Sequence, residues 1–360
     1  MSASNQTQSA IKIEETVFGK NKDGQEIQLY TIISPKGHKA CVTNYGATLT
    51  HLFVINKEGQ LQDVVLGFDS FEGYQSEAYF QSGAFMGSTV GRVCNRIEGG
   101  TFTLEGKTIQ LDNSHQGNHL HGGKEGYDKK IWKAEIVENG LKLRYLSPDG
   151  EENYPGNLEV EIFFGFCDGD EFTIHYKAKT DKTTVVNLTN HAYFNLGGDF
   201  SKSILDHDLQ VNAPFYVPVK EKSIPTGEIL SVKNSPYDFL EPKKIRECVF
   251  ADHPQVKIGN GLDQTLVLDQ KKPNIKLSNA QSGIEMEVST SEPGVQFYTA
   301  NYFDGSLKGK NGSTYHQHAG IAIETQHFPD SPNKAHFPSV VLKPGEEFDS
   351  FTKFKFSINK

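Results

Sequence analysis

Five regions of the sequence carry polar side chains that could move protons or hold hydroxyl groups. They place amide, guanidinium, imidazole and carboxylate groups in stretches that are otherwise apolar or rich in glycine. Imidazoles and carboxylates can serve as general acids or bases, whereas arginine only donates hydrogen bonds and amides both donate and accept them. The regions are residues 91–97, 118–123, 187–196 and 261–264, and the pair 293–301 with 321–330.

The spacing within two of these segments predicts that strands present the polar groups. Side chains of a strand alternate between its faces, so His191 and Tyr193 share one face of residues 187–196. In residues 321–330, Glu324 alternates with isoleucines that would anchor the strand from behind. An imidazole and a carboxylate on rigid strands suit paired acid–base catalysis, because catalysis of this kind depends on accurate positioning.

Each of the two residues also has an ordinary structural interpretation. His191 alone fits a hydrogen-bonded histidine of a core, and Glu324 alone fits a solvent-facing or ion-paired residue. The combination of Asn, Arg, two His, Asp, Gln and Glu in glycine-lined strands is more specific. It is typical of a site for a polyhydroxylated ligand such as a sugar, which requires alternating donors and acceptors.

Strands are also the elements that the rest of the sequence predicts. Apolar residues alternate over residues 158–166 and 172–178, which a turn at Asp168-Gly169 would join, and again over 284–288 and 354–358. Asn139-Gly140 lies between two apolar runs and predicts a hairpin. No helical period of ten or more residues is evident. The sequence therefore predicts an all-β sandwich or barrel rather than βαβ units.

No linker or charge block divides the chain. We expect a flexible polar tail at residues 1–10, followed by a single domain over residues 11–360. Residues 212–254 are richer in Pro and Lys than their surroundings, which indicates long surface loops rather than a domain boundary.

Composition excludes several classes of partner. The 36 Lys and Arg against 45 Asp and Glu give a net charge of −9, which argues against binding nucleic acid or anionic membranes through overall charge. No apolar run approaches the roughly 18 residues of a membrane helix, and the polar N-terminus lacks the features of a secretory signal. The four cysteines are widely spaced, which predicts free thiols. We expect a cytoplasmic protein, either a monomer or a weak homodimer.

Three further motifs were weighed as cofactor or metal sites. Residues 305–311 resemble a phosphate loop, but only three residues separate the glycines, and Asn311 stands where Ser or Thr would bind magnesium. The pairs His119/His121 and His316/His318 could each offer two imidazoles to a metal, but neither has an evident third ligand. We therefore expect no cofactor and no metal requirement.

Taken together, the polar segments resemble the aldose 1-epimerase (galactose mutarotase) family. The resemblance runs in family order from residue 43 to about residue 334. The motifs that carry it are TNYGA (43–47), DVVLGF (63–68), GRVCNRI (91–97), NHLHGG (118–123), NLTNHAYFNL (187–196), GLDQ (261–264), PGVQFYTAN (293–301) and ETQHFPDSPN (324–333). The resemblance implies a large antiparallel β-sandwich, the galactose mutarotase-like supersandwich.

The resemblance also implies a reaction, the interconversion of α and β anomers of free aldohexoses such as glucose and galactose, without a cofactor. Glu324 is then the base that takes the proton of the C1 hydroxyl, and His191 is the acid at the ring oxygen. For these roles Glu324 should be ionised and His191 protonated at rest, and the attraction between them favours both charged states. The resemblance assigns the sugar hydroxyls to Asn95, Arg96, His121, Tyr193, Asp263 and Gln296. His121 is also a candidate to assist at the ring oxygen.

Two departures from the family pattern concern substrate preference rather than the reaction. Cys94 stands where the family usually has Ala, and Gln264 follows Asp263 where His is common. Three alternatives stay open on the sequence. One is a non-catalytic sugar-binding module. Another is a glycoside hydrolase that uses Asp263 and Glu324 as its two carboxylates. The third is a hexose-6-phosphate 1-epimerase, in which Arg92 and Arg96, on one face of a strand, would clamp the phosphate.

Overall fold

The computed structural model describes residues 11–167, 170–269 and 271–359. Its largest element is an antiparallel nine-stranded sheet whose inner face is apolar and whose outer face is charged. Its strands, in spatial order, are Lys133–Val137, Gly140–Ser147, Leu158–Cys167, Glu171–Thr180, Phe348–Ile358, Ile284–Thr290, Ile275–Ser278, Asp208–Val211 and Lys243–Lys244.

Two smaller antiparallel sheets face the inner side of the nine-stranded sheet. The five-stranded sheet comprises Lys12–Lys20, Glu26–Ile33, Lys39–Thr43, Thr48–Ile55 and Leu61–Asp63. The six-stranded sheet comprises Tyr193–Phe194, Ile321–Gln326, Gly294–Tyr298, Asp263–Val267, Phe215–Val217 and Leu230–Ser231. One buried apolar cluster takes residues from all three sheets, among them Val42, Ile162 and Ile323, so the core lies between the layers of a sandwich.

Short elements complete the described chain. Six two-stranded ribbons pair Arg96–Ile97 with His119–Leu120, Thr89–Val90 with Thr189–Asn190, Thr184–Val185 with Val341–Leu342, Thr101–Leu104 with Lys107–Gln110, Val219–Lys220 with Ile224–Pro225, and Asp304–Lys308 with Thr314–His316. The α-helices are Phe71–Tyr74, Glu77–Ser82, Ile245–Val249 and Pro254–Gly259. The 3₁₀ turns are Glu98–Gly100, Tyr127–Lys129, Glu151–Asn153, Glu221–Ser223, Lys310–Gly312 and Ser331–Asn333. Within the described ranges, none of these helices has the length and apolarity needed to cross a bilayer.

The structure confirms the all-β sandwich and most of the predicted strands. The hairpin at Asn139-Gly140 joins Lys133–Val137 to Gly140–Ser147. The predicted turn at Asp168-Gly169 and the predicted tail at residues 1–10 lie outside the described residues. Residues 212–254 are mostly loops, as expected, but Phe215–Val217 joins the six-stranded sheet. The single-domain organisation stays a prediction.

A buried ion pair ties a peripheral hairpin to the sandwich. Lys310, in the segment that resembles a phosphate loop, is 1% exposed, and its Nζ donates to Asp63 Oδ2 at 2.6 Å and to the Val65 carbonyl at 2.7 Å. Backbone N–H groups of Leu52 and Val65 donate to the other carboxylate oxygen. The ammonium therefore compensates a carboxylate that would otherwise be buried without an opposite charge.

We expect Lys310→Met to lower the free energy of unfolding by about 3–5 kcal/mol, because it leaves the Asp63 carboxylate buried without its partner. Urea denaturation would measure the loss. The double variant Lys310→Met/Asp63→Asn removes both charges and should recover part of the stability. Equal stability of the single and double variants would contradict this account.

Candidate active site

The six-stranded sheet has an apolar face and a polar face, and the polar face carries the predicted site residues Tyr193, Asp263, Gln296 and Glu324. Thr265, Gln296 and Glu324 lie directly opposite one another on three adjacent strands. Their neighbours Val295 and Ile323 point the other way, into the core of the sandwich. Strand alternation therefore places the Glu324 carboxylate on a rigid surface with apolar anchoring behind it, as the sequence predicts.

His191 reaches this surface from a bend rather than from the continuous strand that the sequence predicts. Thr189–Asn190 pairs with Thr89–Val90, and Tyr193–Phe194 pairs with Ile321–Gln326, so the chain changes partner at His191. Both backbone polar groups of His191 are hydrogen-bonded to the segment that contains Gly87 and Ser88. Its N–H donates to the Ser88 carbonyl at 2.9 Å, and its carbonyl accepts from the Gly87 N–H at 3.0 Å. This places His191 Nε2 3.4 Å from Glu324 Oε1.

The ribbon that pairs Arg96–Ile97 with His119–Leu120 supplies the next three residues. Asn95 and His121 flank it with left-handed φ angles of 60° and 50°. The Asn95 N–H donates to His121 Nδ1 at 3.2 Å, so in the neutral imidazole the hydrogen lies on Nε2. His121 is thereby prepared as a donor. Gly122 is required beside it, since a Cβ there would lie 1.8 Å from the Gly91 carbonyl oxygen.

A second hydrogen-bonded group fixes the remaining amide and carboxylate. Gln296 Nε2 donates to Asp263 Oδ1 at 2.5 Å, and the Thr265 hydroxyl donates to Gln296 Oε1. Ser223 Oγ contacts the other Asp263 oxygen at 3.5 Å. The Asp263 contact decides which way the Gln296 amide faces, because the reversed amide would set its oxygen against a carboxylate oxygen that can only accept.

All eight predicted site residues line one cavity of about 410 Å³, a size within the usual range for small-molecule sites. The sequence analysis missed other lining residues, among them His115, Lys222, Ser223, Tyr298 and Tyr302. Tyr298 follows Gln296 by two residues and shares its face, so strand alternation alone could have identified it. The others lie on loops, where no period marks the direction of a side chain.

A larger depression of about 560 Å³ lies on the outer face of the nine-stranded sheet. Several of its charged side chains pair with one another, as in the Arg144–Glu161 and Lys179–Glu347 contacts, both at 2.8 Å. It is a solvated face of ion pairs. The 410 Å³ cavity, in contrast, holds buried polar atoms that have no partner among the described residues: Glu324 Oε2, His191 Nδ1 and Arg96 Nε.

The proposed two-arginine phosphate clamp is wrong. Arg92 is buried away from the cavity, where its guanidinium donates to the carbonyls of Pro155 and Gly156 at 2.9 and 3.0 Å and to Ser147 Oγ at 2.5 Å. Positions 92 and 96 do not share a face, because the chain between them is irregular except for the start of Arg96–Ile97. Arg96 alone of the two reaches the cavity.

The charge states that the sequence predicts for Glu324 and His191 are also wrong. Burial raises the pKa of Glu324 to about 8, with the Asp263 carboxylate acting in the same direction and Arg96 opposing it. Burial lowers the pKa of His191 to about 4. Burial is the largest cause of both shifts, and it acts against the mutual attraction on which the sequence argument relied. The two pKa values place the single proton of the pair on Glu324, whereas the sequence analysis placed it on His191.

Burial, together with the nearby His191 and Arg96, holds the pKa of His121 well below its usual value. His121 therefore keeps the single hydrogen that the Asn95 contact directs to Nε2.

His121, His191 and Glu324 lie close enough to hold a metal ion, with one donor atom of each within 4.8 Å of the others. The surroundings do not fit that use. A metal-bound imidazole normally donates its second N–H to an acceptor, whereas His121 Nδ1 faces the Asn95 N–H donor. The His119/His121 pair also fails as a metal site, since His119 contacts the Asp112 carbonyl and the Tyr154 hydroxyl through its two ring nitrogens.

Comparison with known proteins identifies the family of the chain. The family model for aldose 1-epimerase matches residues 28–355. The chain belongs to the aldose 1-epimerase family. It is 46% identical over 321 residues to a galactose mutarotase of Bos taurus, covering 88% of this chain and 90% of that protein. It is 35% identical over 342 residues to an aldose 1-epimerase of Escherichia coli K12, covering 93% of this chain and 96% of that protein.

A solved structure shares the fold over nearly the whole chain. The galactose 1-epimerase of Lactobacillus acidophilus superposes with a TM-score of 0.85 at 29% identity, covering 98% of this chain and all of that one. As a member of the aldose 1-epimerase family, this chain is an isomerase that interconverts the anomers of an aldose.

The pKa values of the pair predict a bell-shaped dependence of kcat/KM on pH. Below about pH 4, His191 is protonated as well as Glu324, so the pair holds two protons and neither residue can act as a base. Above about 8, Glu324 loses the only proton of the pair, and no acid is left. Activity should therefore fall at both ends, which polarimetric initial rates across this range would measure. A profile flat from pH 4 to above pH 9 would contradict the assignment of these limbs.

Proposed function

We propose that this epimerase acts on free aldohexoses, glucose and galactose, and that Glu324 and His191 carry the two proton transfers. The observation that carries the proposal is the 3.4 Å separation of Glu324 Oε1 and His191 Nε2 in a cavity lined by hydroxyl-binding groups. Ring opening requires a proton to leave the C1 hydroxyl and a proton to reach the ring oxygen. Both oxygens are bonded to C1, so the base and the acid must be neighbours, as these two residues are.

The proton inventory of the pair suits this reaction. In the opening step the pair takes the C1 hydroxyl proton and delivers its own proton to the ring oxygen, while the bond between C1 and the ring oxygen breaks and C1 becomes a carbonyl. Rotation about C1–C2 and the reverse transfers close the ring on its other face. The pair ends with the single proton that it began with, so no external acid, base or cofactor is consumed.

We assign the role of base to Glu324 and that of acid to His191, which requires the proton to lie on His191 when the sugar is bound. Burial favours the proton on Glu324, but the two arrangements have the same total charge and differ by a transfer over 3.4 Å. A sugar hydroxyl that donates to Glu324 stabilises its carboxylate, as Arg96 does, and would move the proton to His191. His121, held as an Nε2–H donor, can assist at the ring oxygen.

The remaining lining groups are proposed to hold the sugar. Asn95 Oδ1 accepts from the Arg96 N–H at 2.9 Å, and no acceptor among the described residues engages its Nδ2. That amide nitrogen and the Arg96 guanidinium would donate to sugar hydroxyls, and Asp263 would accept from them. Tyr193, with its ring centroid 4.9 Å from that of His191, and Gln296 complete the proposed set.

A hydrolase that uses Asp263 and Glu324 is less well supported. Asp263 is held by Gln296 and Ser223 in a role that suits hydroxyl binding, whereas the nearest neighbour of Glu324 for proton transfer is an imidazole. We further propose a cytoplasmic protein, a monomer or weak homodimer, that binds neither nucleic acid nor membranes. The net charge of −9 supports the absence of nucleic-acid and membrane binding, and the thiols of Cys41, Cys94 and Cys248, which form no disulfide, support the cytoplasmic location.

We expect Glu324→Gln to lower kcat for galactose mutarotation by about 10²–10⁴-fold while sugar binding survives, because Gln keeps the shape but cannot take a proton. Polarimetry gives the rate, and calorimetric titration gives the affinity. His191→Asn should behave similarly. The matched control is Glu98→Gln, the same change at a glutamate that pairs with Lys220 outside the cavity lining. Near-normal turnover by Glu324→Gln, or retained binding without turnover in the parent protein, would refute the proposed function.

Free sugars should be preferred over their 6-phosphates, because Arg92 is committed to the protein interior. Arg96 and Lys222 are the cationic residues that line the cavity, and Lys222 Nζ donates to the Gln116 carbonyl at 2.9 Å. The deciding quantity is kcat/KM for glucose against glucose 6-phosphate in matched buffer. A ratio that favours the phosphate by tenfold, about 1.4 kcal/mol of transition-state binding, would overturn the substrate assignment and leave the epimerase chemistry intact.

A further inference from the structure

Phe85 contacts both imidazoles of the proposed site from behind. Its ring centroid lies 4.8 Å from that of His121 and 6.1 Å from that of His191, with interplanar angles of 51° and 29°. Phe85 does not line the sugar cavity. We propose that Phe85 is a positioning residue that sets the planes of both imidazoles and keeps water from their rear faces. The inference rests on the roles proposed above for His191 and His121.

The backbone ties Phe85 to His191 within one hydrogen-bonded unit. The Phe85 carbonyl accepts from the Ser88 N–H at 3.0 Å, which closes a turn over residues 85–88. The same turn makes both backbone hydrogen bonds to His191, through Ser88 and Gly87. Asn190 Nδ2 donates to the Gly87 carbonyl at 2.6 Å. The ring and the imidazole that it contacts are therefore held by one segment of chain.

The conformation of Phe85 indicates that the surrounding contacts determine its placement. Its φ of 50° lies in the left-handed region, which a bulky side chain rarely adopts. Such a conformation persists only where the surroundings fix it, and it tends to occur at functional sites. Here the turn and the two ring contacts supply that constraint. A residue that only filled space would not require this left-handed backbone conformation.

On its other side, Phe85 borders a small pocket of about 40 Å³ that also contacts Phe80, Asp128 and Lys129. Lys129 Nζ lies 5.8 Å from the Phe85 ring centroid and 3.0 Å from Asp128 Oδ2. The ring thus separates the imidazoles from a polar, ion-paired region. Truncating it would join the small pocket to the rear of His121 and His191 and admit water there.

The groups that face His191 decide whether removal of the Phe85 ring raises or lowers the pKa of this histidine. On the cavity side, Glu324 lies 3.4 Å from His191, the rings of His121 and Tyr193 pack against its imidazole, and Arg96 lines the same cavity. Truncation at residue 85 leaves all four in place. Behind the ring are Asp128 and Lys129, whose opposite charges largely cancel. Entry of water then dominates, and hydration favours imidazolium. The acidic limb of the kcat/KM profile should therefore move to higher pH when the ring is removed.

The test compares Phe85→Ala, Phe85→Leu and Phe85→Tyr in galactose mutarotation. Phe85→Ala should lower kcat by about 10- to 100-fold, as misplacement of reacting groups does, with KM changed less than about threefold. It should also shift the acidic limb upward. Phe85→Tyr keeps the ring and should retain the parent profile, and Phe85→Leu, which keeps apolar bulk, serves if the alanine variant does not fold. Phe80→Ala is the matched control, since it opens the same pocket without contact to either imidazole.

Unchanged kcat and an unchanged acidic limb in a folded Phe85→Ala or Phe85→Leu variant would overturn the inference. A second result would also overturn it: kcat falls in these variants, the acidic limb does not move, and Phe85→Tyr loses kcat as well. That combination indicates a structural role alone. His191→Asn is assayed alongside. If it keeps full activity, the proposed site is wrong, whereas its inactivation beside a normal Phe85→Ala enzyme refutes only the role of Phe85.

Discussion

The register of the six-stranded sheet is the constraint on which the rest of the site depends. Both faces of its central strands are buried, one against the core and one against the cavity, so each residue has a single acceptable direction. A slip of one residue in Ile321–Gln326 would turn Glu324 into the apolar core and Ile323 into the cavity. The cross-strand pairing of Gln296 with Glu324 therefore fixes both the fold and the position of the proposed base. Stability and chemistry are set by the same hydrogen-bonded ladder.

Burial then gives these side chains their chemical character. Glu324 is 2% exposed and has one carboxylate oxygen without a partner among the described residues, and His191 has an unpartnered ring nitrogen. Unsatisfied polar atoms in a dry cavity are costly, and a ligand rich in hydroxyl groups can satisfy them. The same desolvation brings the pKa of Glu324 to about 8, so that the pair holds one proton near neutral pH. The same burial thus leaves polar atoms for a hydroxyl-rich ligand to engage and gives the pair the single proton that the proposed mechanism needs.

The sequence predicted the parts of this arrangement that depend on local pattern. Alternation identified the strand of Glu324 and the face on which it lies, and the resemblance supplied the eight residues that meet in the cavity. The bend at His191 was missed, because it arises from the exchange of partner strands, which no local period records. Arg92 was misplaced because the backbone around it is irregular, so strand parity does not apply. The charge state of the pair was wrong because desolvation depends on how the whole fold encloses Glu324.

The two halves of the proposed catalytic pair are held by different means. Glu324 needs no special support, because the ladder with Gly294–Tyr298 runs along its strand and pairs Glu324 directly with Gln296. His191 and His121 lie on a bend and a ribbon end, where no ladder continues. His191 is held there by the turn over residues 85–88, and His121 is held by the Asn95 contact and by the close backbone approach that Gly122 permits. The left-handed conformations of Phe85, Asn95 and His121 follow from this, since short segments that must place a side chain without a sheet have few other backbone choices.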